Sequence, residues 1–262
     1  MKVMFIGDIV GRPGRSVVEA LLGGLVKKNK ISCVIANAEN SAGGSGITPS
    51  IATELENAGV DVITSGDHIW KRREATELLE TRGNVLRPLN YPDGAPGEGS
   101  LVVEIPNTAV KIGVINLVGR VFMESVECPF KASRQAVDKI RKVTPNIFVD
   151  IHAEATSEKI ALGWYLDGLV TAVMGTHTHV QTADEKILPK GTAYITDTGM
   201  TGPFDSVIGR KKEQILTRFI TQRPTRFEMA EDDIRLNAVI VDFDEKRGIA
   251  NSIIRVEKKW KP

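Results

Sequence analysis

Short apolar runs rich in β-branched residues recur along the chain, separated by stretches with helical spacing of their apolar positions. The runs are Val3–Ile6, Ile31–Ala36, Val60–Thr64, Leu101–Ile105, Val110–Leu117, Ile147–Ile151, Leu169–Met174, Ala193–Thr196, Ala238–Phe243 and Ile249–Val256. Several are continuously apolar, the pattern of strands covered on both faces. Helices are predicted over Arg15–Lys28, Pro49–Ala58, Lys71–Thr81, Ala132–Val143 and Glu213–Ile220. Pro13 and Pro49 suit first helical turns, and Thr48 or Ser133 can cap. The β-helix-β alternation predicts parallel strands in at least one sheet. The C-terminal third is richer in strand than in helix, which predicts a second, more antiparallel sheet. Arg87–Gly99, rich in Pro and Gly, reads as a long surface loop inside one domain spanning residues 1–262.

Composition narrows the class. Of 262 residues, 42% are hydrophobic and 26% charged, which excludes disordered, collagen-like and coiled-coil chains. Lysine and arginine exceed acidic residues by only one (34 against 33), so long nucleic acid finds no global polycation. The N-terminal apolar run is short and broken by Asp8, so it reads as a strand rather than an export signal. No run approaches the roughly 18 apolar residues that span a bilayer. A soluble, cytoplasmic α/β protein with no membrane partner is expected. Cys33 and Cys128 lack metal-site spacing, and Cys33, inside ISCVIA, reads as a buried thiol.

The residues that end the apolar runs carry the chemistry. VMFIG runs into Asp8, CVIANA into Glu39 and Asn40, VITSG into Asp67 and His68, FVDI into His152, and AVMGT into His177 and His179. Ligands bind at the C-terminal ends of strands in open α/β sheets, and all four histidines of the chain fall there. Each residue alone has an ordinary structural use, in a turn, a cap or a hydrogen-bonded core. His177-x-His179 is the strongest pair, because residues two apart on a strand share a side. Together the carboxylates would repel and be costly to bury without a cation. Nitrogen and oxygen donors without sulfur point to Mn, Fe, Zn or Co. About seven donors suit two ions, the arrangement that clamps a phosphate with metals about 3.5–4 Å apart.

GDIVGRPGR, NAEN, GDHIW, RPLNYP, INLVGR, DIHAEATSEK, LGWY, VMGTHTHVQTAD and ILPKGTAYITDTGMTGP, with their spacing, resemble the YmdB-like bacterial metallophosphodiesterases of the calcineurin-like metallophosphoesterase superfamily. The likeness runs through nearly the whole chain, and HAEATSEK and GTHTHVQTAD are its most specific blocks. It implies an α/β two-sheet sandwich flanked by helices, the four-layer metallophosphoesterase fold, around a dinuclear iron- or manganese-type centre. It also implies a small-molecule phosphodiester substrate, a cyclic nucleotide, with 2′,3′-cyclic nucleotides favoured. The implied ligands are Asp8, Glu39 as the bridging carboxylate, Asn40, Asp67, His152, His177 and His179, with His68 as the unligated proton-transfer residue. Two positions depart from the pattern. Val10 stands where the wider superfamily has the histidine of D-x-H, as is usual in this branch. Asp67 stands where family members commonly carry the asparagine of GNH. An ionised Asp67 adds negative charge, which should hold metal more firmly and weaken its Lewis acidity.

The mechanism this implies is in-line attack by metal-bound hydroxide, with His68 protonating the leaving ribose oxygen. The glycine-rich Ser41–Gly46 loop would let backbone approach the phosphate. Phe122, Phe130 and Tyr165 are candidates for stacking on a base, though core packing is the commoner use. Lys71–Arg73 and Arg210–Lys212 read as solvated helix faces, with attraction of phosphate-bearing ligands as the alternative. Val121–Lys131 is a candidate lid, within a segment around 120–132. One rival is a dinucleotide-binding oxidoreductase built on Gly7, Gly11 and Gly14, but their spacing is not G-x-G-x-x-G and Asp8 would repel a pyrophosphate. A second is a regulatory protein that binds nucleotide at the metal centre with little turnover. Homo-oligomers are common, and the sequence carries no preference between monomer and oligomer.

Overall fold

The computed structural model describes residues 1–261. The chain first lays down β1 (Lys2–Ile6), α1 (Gly11–Asn29), β2 (Cys33–Asn37), α2 (Pro49–Ala58) and β3 (Val62–Thr64). A short turn at Ile69–Lys71 and α3 (Ala75–Thr81) lead to a second sheet. It comprises β4 (Ser100–Glu104), β5 (Lys111–Val118), β6 (Ile147–His152), β7 (Ala172–Thr176), β8 (Lys186–Ile187) and β9 (Ala193–Ile195). Helices α4 (Pro129–Ile140) and α5 (Thr156–Leu166) connect β5 to β6 and β6 to β7. The chain then returns to the first sheet through β10 (Gly202–Pro203), α6 (Lys212–Thr221), β11 (Ile234–Asp244) and β12 (Ile249–Lys259).

Both sheets are mixed. In the first, β1, β2 and β3 run parallel, and β11 joins the free edge of β1 antiparallel with Met4 opposite Ile240. In the second, β5, β6, β7 and β9 run parallel, with β4 and β8 antiparallel at the edges. The C-terminal strands therefore do not build a separate antiparallel sheet, as their pattern predicted. β11 is buried along nearly its whole length, so it completes the first sheet beside β1 instead.

Strand alternation produces the layers. Val3 and Phe5 of β1 point into the gap between the sheets, with Cys33, Ile35, Phe148, Met174 and Phe243. Met4 and Ile6 point the other way, onto Val18 and Leu22 of α1 and Leu55 of α2. On the second sheet, Val149 and Ile151 face outward to Val137 of α4 and Leu162 of α5. The result is the expected helix–sheet–sheet–helix sandwich. Phe148 and Phe243 meet edge to face across the gap, ring centres 5.4 Å apart.

Local differences have local causes. Thr48 caps α2 by accepting from Ile51 N, but Ser133 caps nothing. Helix α4 begins earlier, with Pro129 in its first turn, so the Ser133 hydroxyl donates to Phe130 O inside the helix. The helix predicted over Lys71–Thr81 starts only at Ala75, because Arg72 is extended and its guanidinium reaches the carbonyls of Ala42 and Ser45. Helix α5 went unpredicted. Among the described residues, no helix is long and apolar enough to cross a membrane.

Candidate metal centre

The C-terminal ends of β1, β2, β3, β6 and β7 converge at one edge of the sandwich and bring the predicted residues together. Glu39, Asp67, His152 and His177 each offer a ligand atom, all within 4.8 Å of one another. At the centre, His152 Nε2 lies 2.9 Å from His177 Nδ1, 3.1 Å from Glu39 Oε1 and 3.3 Å from Asp67 Oδ1. Beside this group stand Asp8, Asn40 and His179. His179 Nε2 is 3.2 Å from Asn40 Nδ2 and 3.9 Å from Asp8 Oδ1. Glu39 Oε1 accepts from Asn40 Nδ2 at 3.0 Å, which ties the two groups together. Gly66 lets β3 come this close, since a Cβ there would fall 2.1 Å from the His152 ring and 2.4 Å from Glu39 Oε2.

His177 and His179 reach the cluster by a route other than strand alternation. Both follow β7 with φ of 97° and 65°, in the left-handed region that non-glycine residues seldom occupy. Surrounding bonds hold this turn. The fully buried Lys159 donates to Asp197 Oδ2 and Thr176 O, both at 2.7 Å. Asp197 Oδ2 also accepts from Thr178 N and Oγ1 at 3.1 and 2.6 Å.

Burial and charge pull the ionisable groups in opposite directions. Asp8 is fully buried, and desolvation with the nearby charges of Asp197 and Glu39 pushes it up to about 7 against the pull of His152. Burial also raises Glu39 and Asp67, but the adjacent His152 outweighs it and both carboxyls sit below their usual range. Burial lowers His152, yet the carboxylates around it hold its imidazole well above the usual value. Desolvation, reinforced by the neighbouring His152, drives His177 down to about 4. The surrounding carboxylates thus favour the charged form of His152, while burial beside it favours the neutral form of His177.

The donor chemistry fits a bound metal. Asp8 Oδ1 and Asp67 Oδ1 are buried without a hydrogen-bond partner, a costly state that a cation would relieve. Each imidazole also has an acceptor at the nitrogen facing away from the cluster, the usual setting of a ligating histidine. These are Thr176 Oγ1 for His152 Nδ1 at 2.9 Å, Glu154 Oε2 for His177 Nε2 at 3.2 Å, and Ile208 O for His179 Nδ1 at 3.2 Å. The inner nitrogens His152 Nε2, His177 Nδ1 and His179 Nε2 face the carboxylates.

A cavity of about 320 Å³ opens over the cluster, lined by Glu39, Asn40, His68, His177, His179, Ile208 and Arg210 among others. His68 stands on its wall, with Nδ1 2.8 Å from Asn40 Oδ1 and Nε2 3.8 Å from Asp67 Oδ2. Val10, at the position of the missing superfamily histidine, lines it too. The glycine-rich loop is pinned: the Arg210 guanidinium donates to Gly44 O at 2.8 Å and Gly43 O at 3.3 Å. Arg72 holds Ala42 and Ser45 from the other side. The N–H groups of Ser41, Ala42 and Gly44 are already bonded within the chain, so they form no phosphate cradle. Phe130 and Tyr165 pack edge to face on each other, 5.5 Å apart, and Phe122 is 88% exposed. None of the three lines this cavity.

The sequence pattern does not single out Asp150, Glu154, Lys159 or Asp197, and it places Arg210 in a basic run read first as a solvated helix face. DIHAEATSEK carried three of them in one motif. Arg210 was hidden by its neighbours: Lys211 and Lys212 do form exposed ion pairs, with Glu228 and Asp205, while Arg210 turns to the site.

The model of the family described as YmdB-like protein matches residues 4–256. A 2′,3′-cyclic-nucleotide 2′-phosphodiesterase of Bacillus subtilis is 46% identical over 256 residues, covering 98% of this chain and 96% of its own. The crystal structure of a phosphatase from Mycoplasma pneumoniae superposes with a TM-score of 0.92 at 35% identity, covering 99% of this chain and 93% of that one. The calcineurin-like phosphoesterase YfkN from Bacillus subtilis, 9% identical, shares the fold with a TM-score of 0.57 over 99% of this chain and 90% of its own. With its strand-end cluster of carboxylates and imidazoles, the chain belongs to the YmdB-like family, on the calcineurin-like phosphoesterase fold.

Proposed function

We propose that this protein is a metal-dependent phosphodiesterase that hydrolyses cyclic nucleotides, 2′,3′-cyclic nucleotides first, at a dinuclear centre. One observation carries the reading: a cavity opens directly onto a cluster whose inner imidazole nitrogens and unpartnered carboxylate oxygens face each other. Glu39, Asp67, His152 and His177 would hold one ion, and Asp8, Asn40 and His179, with Glu39 shared, the other. The nitrogen and oxygen donors suit iron or manganese. Bound there, such ions neutralise phosphate charge and supply hydroxide at neutral pH.

The chain's own residues do the rest. His68 lies on the cavity wall outside the tight cluster, where Asn40 fixes one ring nitrogen and leaves the other to serve the leaving ribose oxygen. A positioned acid of this kind contributes roughly 10²–10⁴-fold. The segment around 120–132 would cover the site as a lid, and Met123 Sδ already accepts from Glu154 N beside it. Residues 1–262 act in this reading as one domain in the cytoplasm. The relative from Bacillus subtilis, named for 2′,3′-cyclic nucleotides, supports the substrate class.

The test is hydrolysis of adenosine 2′,3′-cyclic monophosphate by protein reconstituted with Mn²⁺ or Fe²⁺, beside chelated and His68→Ala samples. Metal-dependent turnover that drops roughly 10²–10⁴-fold in His68→Ala at unchanged metal content is expected. Bound metal with no turnover of cyclic nucleotides or a generic phosphodiester would overturn the enzyme reading in favour of a nucleotide-binding regulator.

A further inference from the structure

The metal cluster continues into the inter-sheet gap as a chain of buried polar groups. Phe148, Asp150 and His152 lie two apart on β6 and share its inner face; the first packs in the core, the last reaches the cluster. Asp150 is fully buried, and only donors surround it. Its Oδ1 accepts from Thr176 Oγ1 at 2.7 Å, and its Oδ2 accepts from Thr64 Oγ1 at 2.6 Å and Asn37 Nδ2 at 2.9 Å. The next link is Thr176 Oγ1, 2.9 Å from His152 Nδ1.

The direction of that last hydrogen bond decides what His152 can do. Glu154 and the Ile208 carbonyl can only accept, so they settle the outer nitrogens of His177 and His179 by themselves. A threonine hydroxyl can donate or accept, and alone it leaves His152 undecided. It has a single hydrogen, and the Asp150 carboxylate takes it. Thr176 therefore turns a lone pair to His152, whose Nδ1 must carry the hydrogen, and Nε2 is the nitrogen free to meet a cation.

We propose that Asp150 is a positioning residue of the metal centre: acting through Thr176, it holds His152 as an Nδ1–H donor with the Nε2 lone pair aimed at the ion. This rests on the reading of His152 as a ligand. An asparagine at this position cannot do the same. With its oxygen toward Thr64 and Asn37, its NH₂ takes the Thr176 lone pair, and the hydroxyl hydrogen turns to His152 Nδ1. The ring hydrogen then moves to Nε2, where the ion would sit.

The experiment is titration of the full-length metal-free protein with Mn²⁺, giving affinity and stoichiometry, alongside thermal melts. On Zn²⁺-loaded samples, ¹⁵N–¹H spectra report the His152 Nδ1–H. Asp150→Asn and Thr176→Val are expected to weaken binding of one ion by about 10–100-fold and to lose that resonance. Thr176→Ser, which keeps the hydroxyl, should restore both. Thr64→Val removes a bond to Asp150 outside the relay, so it should lower the melting temperature while leaving affinity near wild type. Wild-type affinity and a retained resonance in Asp150→Asn would overturn the proposal, as would Thr64→Val losing as much affinity as Thr176→Val. If Asp150→Asn fails to fold, the Thr176→Val and Thr176→Ser pair decides alone. A wild-type protein that bound no Mn²⁺ would instead overturn the metal reading itself.

Discussion

Glu39 stands between two groups of different texture. On one side, Asp67, His152 and His177 crowd together with ligand atoms within 4.8 Å of one another. On the other, His179 Nε2 and Asp8 Oδ1 stand 3.9 Å apart, and Asp8 Oδ1, like Asp67 Oδ1 in the first group, is buried with no partner. The contrast shows two ways of tolerating buried charge. In the first group the carboxylates favour a charged His152, which offsets their own charge. In the second, the pull of His152 does not offset burial and the charges of Asp197 and Glu39, and Asp8 is lifted to about 7. Two ions bound here should therefore be unequal, with the Asp67 position filling first.

The largest break in this comparison is Glu39→Gln, which removes the carboxylate common to both groups. Metal content should fall at both positions, and turnover should drop by more than the roughly 10–100-fold typical of outer-shell partners; elemental analysis beside steady-state kinetics checks it. Asp67→Asn acts on one side only. Loss of its charge should weaken the first ion by about tenfold, a change of the order that outer partners also produce. It should also shift preference away from trivalent metal and raise turnover per bound metal, because Lewis acidity increases. A titration showing equal affinities and unchanged rate would remove Asp67 as the source of the asymmetry.

The smallest effect expected is one of pH on the metal-free protein. Asp8 and His152 both hold protons in the folded chain that the unfolded chain has released, so folding stability is lost as pH rises. The share of Asp8 disappears by about 7, and that of His152 is lost above the ordinary imidazole value of about 6.5. Glu39 and Asp67, held low, contribute a constant amount in this range, and His177 and His179 stay neutral. Between about pH 6.5 and 8 the melting temperature should fall without metal. With metal it should hold or rise, since the cation replaces those protons. Melts at several pH values, with and without Mn²⁺, separate the two.

The strand-end residues were legible because polar side chains closing apolar runs have few cheap places to go. The His177-x-His179 pair was legible as a pair, but left-handed backbone rather than strand alternation aims it, and backbone angles of that kind leave no mark on hydrophobic pattern. Asp150 was hidden inside an apolar run, although its two-residue offset from His152 on a strand was a usable signal. Sheet membership was misread at the C-terminus because β11 and β12 look alike as strands wherever they pair. Only the burial of β11 on both faces reveals that it sits beside β1.

The most direct test of the account is anomalous diffraction from crystals of the Mn²⁺-loaded protein, recorded at low and at saturating metal. At saturation, two peaks per chain are predicted with Glu39 shared between them, one among Asp67, His152 and His177 and the other among Asp8, Asn40 and His179. At low metal, the first should stand alone. A single peak at saturation, or filling in the opposite order, would contradict the unequal two-ion centre.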